Sequence, residues 1–116
     1  MKKTLSFLPI LVCLFTNSFA VCPEGVDANG GGVSGKIAMI ERHTHPLNTV
    51  CFKFEGCSDW MGFQMTDLAA KDYLAMLLMA QNNGTVVWCW TTPAKDLAVG
   101  GNMWGHTIGS VTTTMP

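Results

Sequence analysis

The hydrophobic pattern of this chain changes period only once. From Thr66 to Asn83 it is helical, and on both sides it alternates or runs in short apolar blocks, as strands do. Thr66 can accept from the free amides of a helix start, and Asp67 suits the positive end of the helix dipole. Leu68 to Gln81 is built of strong helix formers, and Asn82-Asn83-Gly84 predicts a left-handed cap. Beyond Asp72 the segment carries no charge. Tyr73, Met76, Leu77 and Ala80 form one stripe, and Leu74, Leu78 and Gln81 a second. A helix resting on a small barrel needs only one buried stripe. The second predicts another apolar neighbour, most simply a copy of the same chain, so Tyr73, Leu74, Met76, Leu77, Leu78 and Gln81 are the expected interface.

The flanking strands read as follows. Lys36 to Arg42 is the first, with its alternation slipping at Met39-Ile40 as at a bulge. Thr49 to Glu55 is the second, with Val50, Phe52 and Phe54 on one face. Ser58 to Met65 is the third, Thr85 to Thr91 the fourth and Met103 to Thr114 the fifth. Pro93 to Gly101 is a loop or hairpin connection. Three strands, a helix and two strands in about a hundred residues is the order of the OB-fold. The expected class is therefore β-rich α+β: a five-stranded OB-fold barrel with one helix between strands three and four, spanning residues 36–116. Residues 21–35, with Gly30-Gly31-Gly32, are expected to be a flexible lead-in. No Lys-Ser/Thr follows the glycines and no helix opens there, so a phosphate loop is excluded.

Residues 1–20 have the marks of a secretory signal: a basic Met1-Lys2-Lys3, an apolar run from Leu5 to Phe15, and small residues in Ser18-Phe19-Ala20. Removing twenty residues from 116 leaves 96, enough for one domain. Five basic side chains then face eight acidic ones, which argues against nucleic acid. No later apolar run is long enough for a membrane span. The chain is expected to be exported, to the periplasm or beyond, from a Gram-negative cell. Four cysteines remain, Cys22, Cys51, Cys57 and Cys89, and an even number in an exported chain predicts two disulfides. An extended strand to Glu55 holds Cys51 too far from Cys57 to bridge, so each is expected to find its partner elsewhere.

Val33-Ser34-Gly35, Ile37, His43-Thr44, Val50-Cys51-Phe52, Glu55-Gly56 and Asn83-Gly84-Thr85-Val86-Val87 together resemble the receptor-binding B subunits of subtilase-cytotoxin and typhoid-toxin type. The likeness covers roughly residues 33–91, with an echo in Thr107-Ile108-Gly109-Ser110. It implies an OB-fold that assembles as a homopentamer with its helix lining a central pore. It also implies host-glycan recognition and an exported catalytic A subunit as partner. Ser34 matches the serine that hydrogen-bonds a sialic acid in that family. The chain departs from the pattern in its tight Cys51-to-Cys57 spacing, in lacking the C-terminal cysteine pair, and in having Val33 where an aromatic would stack on the sugar. Small exported proteobacterial proteins of unknown role share the same skeleton, so a secreted or periplasmic protein without a sugar site, or a protein-binding inhibitor, is the alternative reading.

Sugar sites want a flat ring, which Trp60, Trp90 or Trp104 could supply, although core or interface positions are the commoner use of tryptophan. His43, His45 and His106 read as loop histidines, because zinc needs three or four ligands and the cysteines are expected to be oxidised. Neither a metal nor a cofactor is expected. Oxidation also removes the thiolate that a Cys-His nucleophile would need. Glu41, Glu55, Asp59, Asp67, Asp72 and Asp96 show no spacing of a catalytic pair, so the expected role is binding rather than catalysis. Met61, Met65, Met76 and Met79 fall at core-like positions and read as filling.

Overall fold

A computed structural model describes residues 20–27, 29–44, 48–99 and 102–113. The expected signal segment up to residue 19, His45 and the side chain of Trp104 lie outside the described residues. The elements are β1 (Gly31–His43), β2 (Thr49–Phe54), β3 (Trp60–Gln64), α1 (Ala70–Asn83), β4 (Val86–Thr91), β5 (Leu97–Val99) and β6 (Asn102–Thr113), preceded by one 3-10 turn at Pro23–Gly25. The fold is β-rich with its helix between β3 and β4, as expected. The described residues form six strands rather than five, because the connection after β4 itself contributes the three-residue β5. That strand pairs antiparallel with β6.

The sheet order is β3-β2-β1-β4-β6-β5, and β3 also pairs with β6 in parallel. The pairings β1–β2–β3–β6–β4 therefore form a ring. β1 is long because it serves two neighbours: Gly31 to Lys36 pair with β4, and Ile37 to His43 pair with β2. The change falls at a register shift between Ile37 and Met39, where one extra residue bends the strand and turns its later side chains over. The Gly-rich segment is thus more than a lead-in. Gly31 to Gly35 are the first half of β1, and Val21 bridges Ser34 on the side away from β4. Glycines leave no side-chain alternation to read, so only the pairing with β4 identifies them as a strand.

Val50, Phe52 and Phe54 of β2 point into the main core with Val33, Ile37, Met61, Phe63, Val87, Cys89 and Ile108. Burying each such side chain contributes about 1.5–3 kcal/mol. The helix closes this core with Ala70, Leu77 and Ala80. Its start is three residues later than an N-cap at Thr66 would give. Asp67 Oδ1 accepts the Ala69 N–H at 2.9 Å, so Asp67 builds the turn that leads into the helix instead of its first turn. The end is as expected: Gly84 adopts φ 66°, and its N–H and that of Thr85 return to carbonyls of the last turn.

One disulfide joins Cys22 to Cys57, with Cα atoms 5.5 Å apart. The expected second bond is not formed, and Cys51 and Cys89 are free and buried. Strand parity is the reason. Cys89 shares the inner face of β4 with Val87, whereas Cys51, between Val50 and Phe52, is thrown to the outer face of β2. There Leu97 and Trp60 cover it. The wall of the ring separates the two thiols. Burial pushes Cys89 up to about 12. Burial, with the charge of Glu41, pushes Cys51 up to about 11, so both remain protonated thiols.

Candidate functional site: a tryptophan face on the outer wall

The inner positions of β4 are Val87, Cys89 and Thr91, so Trp88 and Trp90 must point out. Both are large aromatic surfaces open to solvent, 49% and 42% exposed. Their neighbours follow from register. Ser34 on β1 and Thr112 on β6 flank Trp88, and Gly32 and Ser110 flank Trp90. Lys36 lies two residues beyond Ser34 on the same face of β1, opposite Val86. The result is two indoles on one outer face, bordered by hydroxyls and bare backbone, with an ammonium at one end.

Trp90 lies on a glycine shelf. Gly30, at φ 81°, passes so close beneath the ring that any Cβ there would collide with it. A Cβ at Gly109 would sit 3.0 Å from ring atom Cε3. The glycines let the indole lie flat against the strands, leaving its other side to water.

Ser34 belongs to this face but is only 6% exposed. Its direct neighbours on either side are Val21 and Trp88, and residues directly opposite in antiparallel pairs share a face. The hydroxyl therefore lies low between two larger side chains. The segment that carries Val21 is fastened twice: by the Cys22–Cys57 bond and by Glu24, whose carboxylate accepts from Ser58 N–H at 2.9 Å, Ser58 Oγ at 2.7 Å and Asp59 N–H at 3.3 Å. Burial alone would raise the Glu24 carboxyl, but these bonds outweigh it and hold the group down at about 2.

The other tryptophans and the histidines are placed differently. Trp60 packs on Cys51 and Leu97, with Lys53 Nζ 4.8 Å from its ring centroid, so it is committed to structure. His106 is not a loop residue. It is buried in β6, where its Nδ1 lies 2.9 Å from Thr92 O and its Nε2 3.1 Å from Asp59 Oδ2. Both ring nitrogens are hydrogen-bonded within the protein. Lys95 Nζ completes the group at 3.3 Å from Asp59 Oδ1. Next to it, Asp96 accepts from the hydroxyls of Thr92 and Thr107 and from Thr107 N–H. Burial opposes these bonds, but together they lower its carboxyl. These bonds fasten the β4–β5 connection to β6.

Two groups of potential metal ligands occur among the described residues. In Cys22–Glu24–Cys57 the sulfurs are consumed by the disulfide. In Glu41–His43–Cys51 the thiol is free, and the ligand atoms all lie within 4.8 Å of one another.

Of the expected interface residues on α1, Leu77 is wholly buried in its own subunit and cannot meet another. Tyr73 packs edge-on against Phe63 and donates its hydroxyl to Gly109 O at 3.0 Å. Leu74 packs on the core, and Met76 is half-buried. What remains open is Leu78, 49% exposed, with Gln81 beside it, and on the neighbouring face Met79, 64% exposed, with Leu68 fully out in the turn before the helix. Neither Met79 nor Trp88 stands out from the sequence as a site residue. For Trp88 the signal was its two-residue spacing from Trp90. No described helix is long and apolar enough to cross a membrane. No protein-family model, curated protein or solved structure matches the chain.

Proposed function

We propose that this chain is an exported, non-catalytic OB-fold protein that binds cell-surface glycans through the outer face of β1, β4 and β6. The ring β1–β2–β3–β6–β4, with its parallel β3–β6 pair and its helix after β3, supports the five-stranded barrel, with β5 as a short hairpin addition. The observation that carries the binding role is the pair Trp88 and Trp90, both exposed on the outer face of β4. A pyranose has one face of C–H groups and a rim of hydroxyls. An indole covers the first, and the exposed Ser110 and Thr112 can donate to and accept from the second, with the Ser34 hydroxyl at the base of the face. Lys36 would meet the carboxylate of an acidic sugar. Stacking platforms also take nucleic-acid bases, but those sites track phosphates with a basic groove. This face has one lysine in a chain of net negative charge.

Each exposed indole face is a weak contact, so useful affinity calls for several faces at once. The apolar outer side of α1, with Leu78, Met79 and Leu68, supports a homo-oligomer, and the reading includes a ring of copies. A glycan array tests the binding claim, using wild type, Trp88→Ala, Trp90→Ala and Ser34→Ala. Hiding roughly 50 Å² of each ring is worth about 1.3 kcal/mol at ~25 cal/mol per Å². Each tryptophan substitution should therefore weaken a single site about tenfold, and more on a multivalent surface. An array that retains no glycan, or tryptophan variants that bind like wild type, removes this function.

A further inference from the structure

We propose that Glu41, His43 and Cys51 form a divalent transition-metal site, of zinc type, on the outer wall of the β1–β2 pair. This proposal is independent of glycan binding. Glu41 and His43 are two residues apart on β1 and share a face, and Cys51 is the direct partner of Glu41 across the strand pair. Three chemically different ligands are thereby carried on two hydrogen-bonded strands, the rigid mounting a metal site needs. His43 Nε2 and Glu41 Oε1 are 3.8 Å apart. With zinc–ligand bonds of about 2.0–2.3 Å, the edge of a tetrahedral site is roughly 3.3–3.7 Å, so this pair already stands near the required separation. The whole set lies within 4.8 Å, and small rotations of the half-exposed Glu41 and His43 side chains close the remainder.

The Glu41 carboxylate and the Cys51 sulfur lie within 4.8 Å of each other, and a cation between them would be held by both. On binding, the Cys51 thiol gives its proton to solvent as the sulfur–metal bond forms, and His43 coordinates as neutral imidazole. Three protein ligands leave a fourth position for water or another donor. The cysteine is protected from disulfide exchange by its cover of Leu97 and Trp60, so it stays available as a ligand in an oxidising compartment.

Cobalt(II) is the probe, titrated into the folded chain with its Cys22–Cys57 bond intact. One equivalent should produce a thiolate-to-cobalt charge-transfer band in the near ultraviolet, and zinc should abolish it. Cys51→Ser should lose the band. His43→Ala and Glu41→Gln, at half-exposed positions that do not threaten folding, should each weaken binding at least tenfold. Cys89→Ala should leave the band in place. The proposal is overturned if wild type gives no such band. It is equally overturned if the band survives Cys51→Ser, or if His43→Ala and Glu41→Gln bind as wild type does.

Discussion

Breaking the Cys22–Cys57 bond probes both the fold and the reading of the tryptophan face. The bond closes a loop of 35 residues. In the chain-entropy account, closing a loop of that length limits the unfolded ensemble by about 4 kcal/mol. A domain of this size has roughly 5–15 kcal/mol of stability in total. Replacing both cysteines by serine, in the chain from Val21, should therefore lower Tm by roughly 15–30 °C, at about 4–8 °C per kcal/mol. The loss should not add simply to that of Glu24→Gln. Glu24 holds the same two segments together through Ser58 and Asp59, so the two fastenings are coupled. Thermal melts by circular dichroism, with and without reductant, measure the effect. Alkylation under denaturing, non-reducing conditions should find two free thiols, Cys51 and Cys89, from the four cysteines of that chain. A melt unmoved by reductant, or a count of no free thiols, would refute the assignment and the parity argument behind it. Loss of the bond should also free Val21 from Ser34 and open one wall beside Trp88.

The depressed Glu24 carboxyl sets a pH dependence. Its folded value of about 2 lies below the ordinary 4.5, so its stabilising effect is fully present above about 4.5 and fades as pH falls towards 2. Urea midpoints of wild type and Glu24→Gln should differ near neutrality and converge across that window. On the helix, the double substitution Leu78→Glu with Met79→Glu should shift the mass measured by light scattering towards one subunit while leaving the melt nearly unchanged, because both side chains are exposed. Gly84→Ala forces a Cβ into the left-handed conformation at the helix end and should cost about 1 kcal/mol, read from a urea melt.

Much of the frame is legible in the residues. Val50, Phe52 and Phe54 announce the inner face of β2, the change of period announces the helix, and Asn83-Gly84 announces its end. The parts that are not legible have physical reasons. The first half of β1 has glycine at positions 31, 32 and 35, which leaves only a broken alternation to read, and β5 is too short to show a period. The disulfide count went astray because an even number of cysteines is a statement about composition, whereas bonding depends on which way each side chain faces. The alternation of Val50, Phe52 and Phe54 already placed Cys51 on the other side. The same reasoning applied to Val87 and Cys89 turns Trp88 and Trp90 outward together. Ser34 carried the resemblance to glycan-binding subunits, yet it lies low in the face whose exposed bulk is the two indoles.

The register shift in β1 ties these surfaces to one another. Before it, the odd-numbered side chains Val33 and Ile37 enter the core, and Ser34 and Lys36 emerge beside the tryptophans. After it the parity is reversed. Ile40 packs on the core opposite Phe52, and Met39, Glu41 and His43 emerge opposite Lys53, Cys51 and Thr49. Were the same sequence to run through the bend as a regular strand, without the bulge, its second half would turn Glu41 and His43 inward, where an unpaired carboxylate costs several kcal/mol. Ile40 would then be exposed, losing about 1.5–3 kcal/mol of burial. The bulge thus does more than curve a wall for closure of the ring. It lets a single strand present a hydroxyl and an ammonium to one outer surface, and a carboxylate and an imidazole to another, while its apolar side chains go into the core on both sides of the bend.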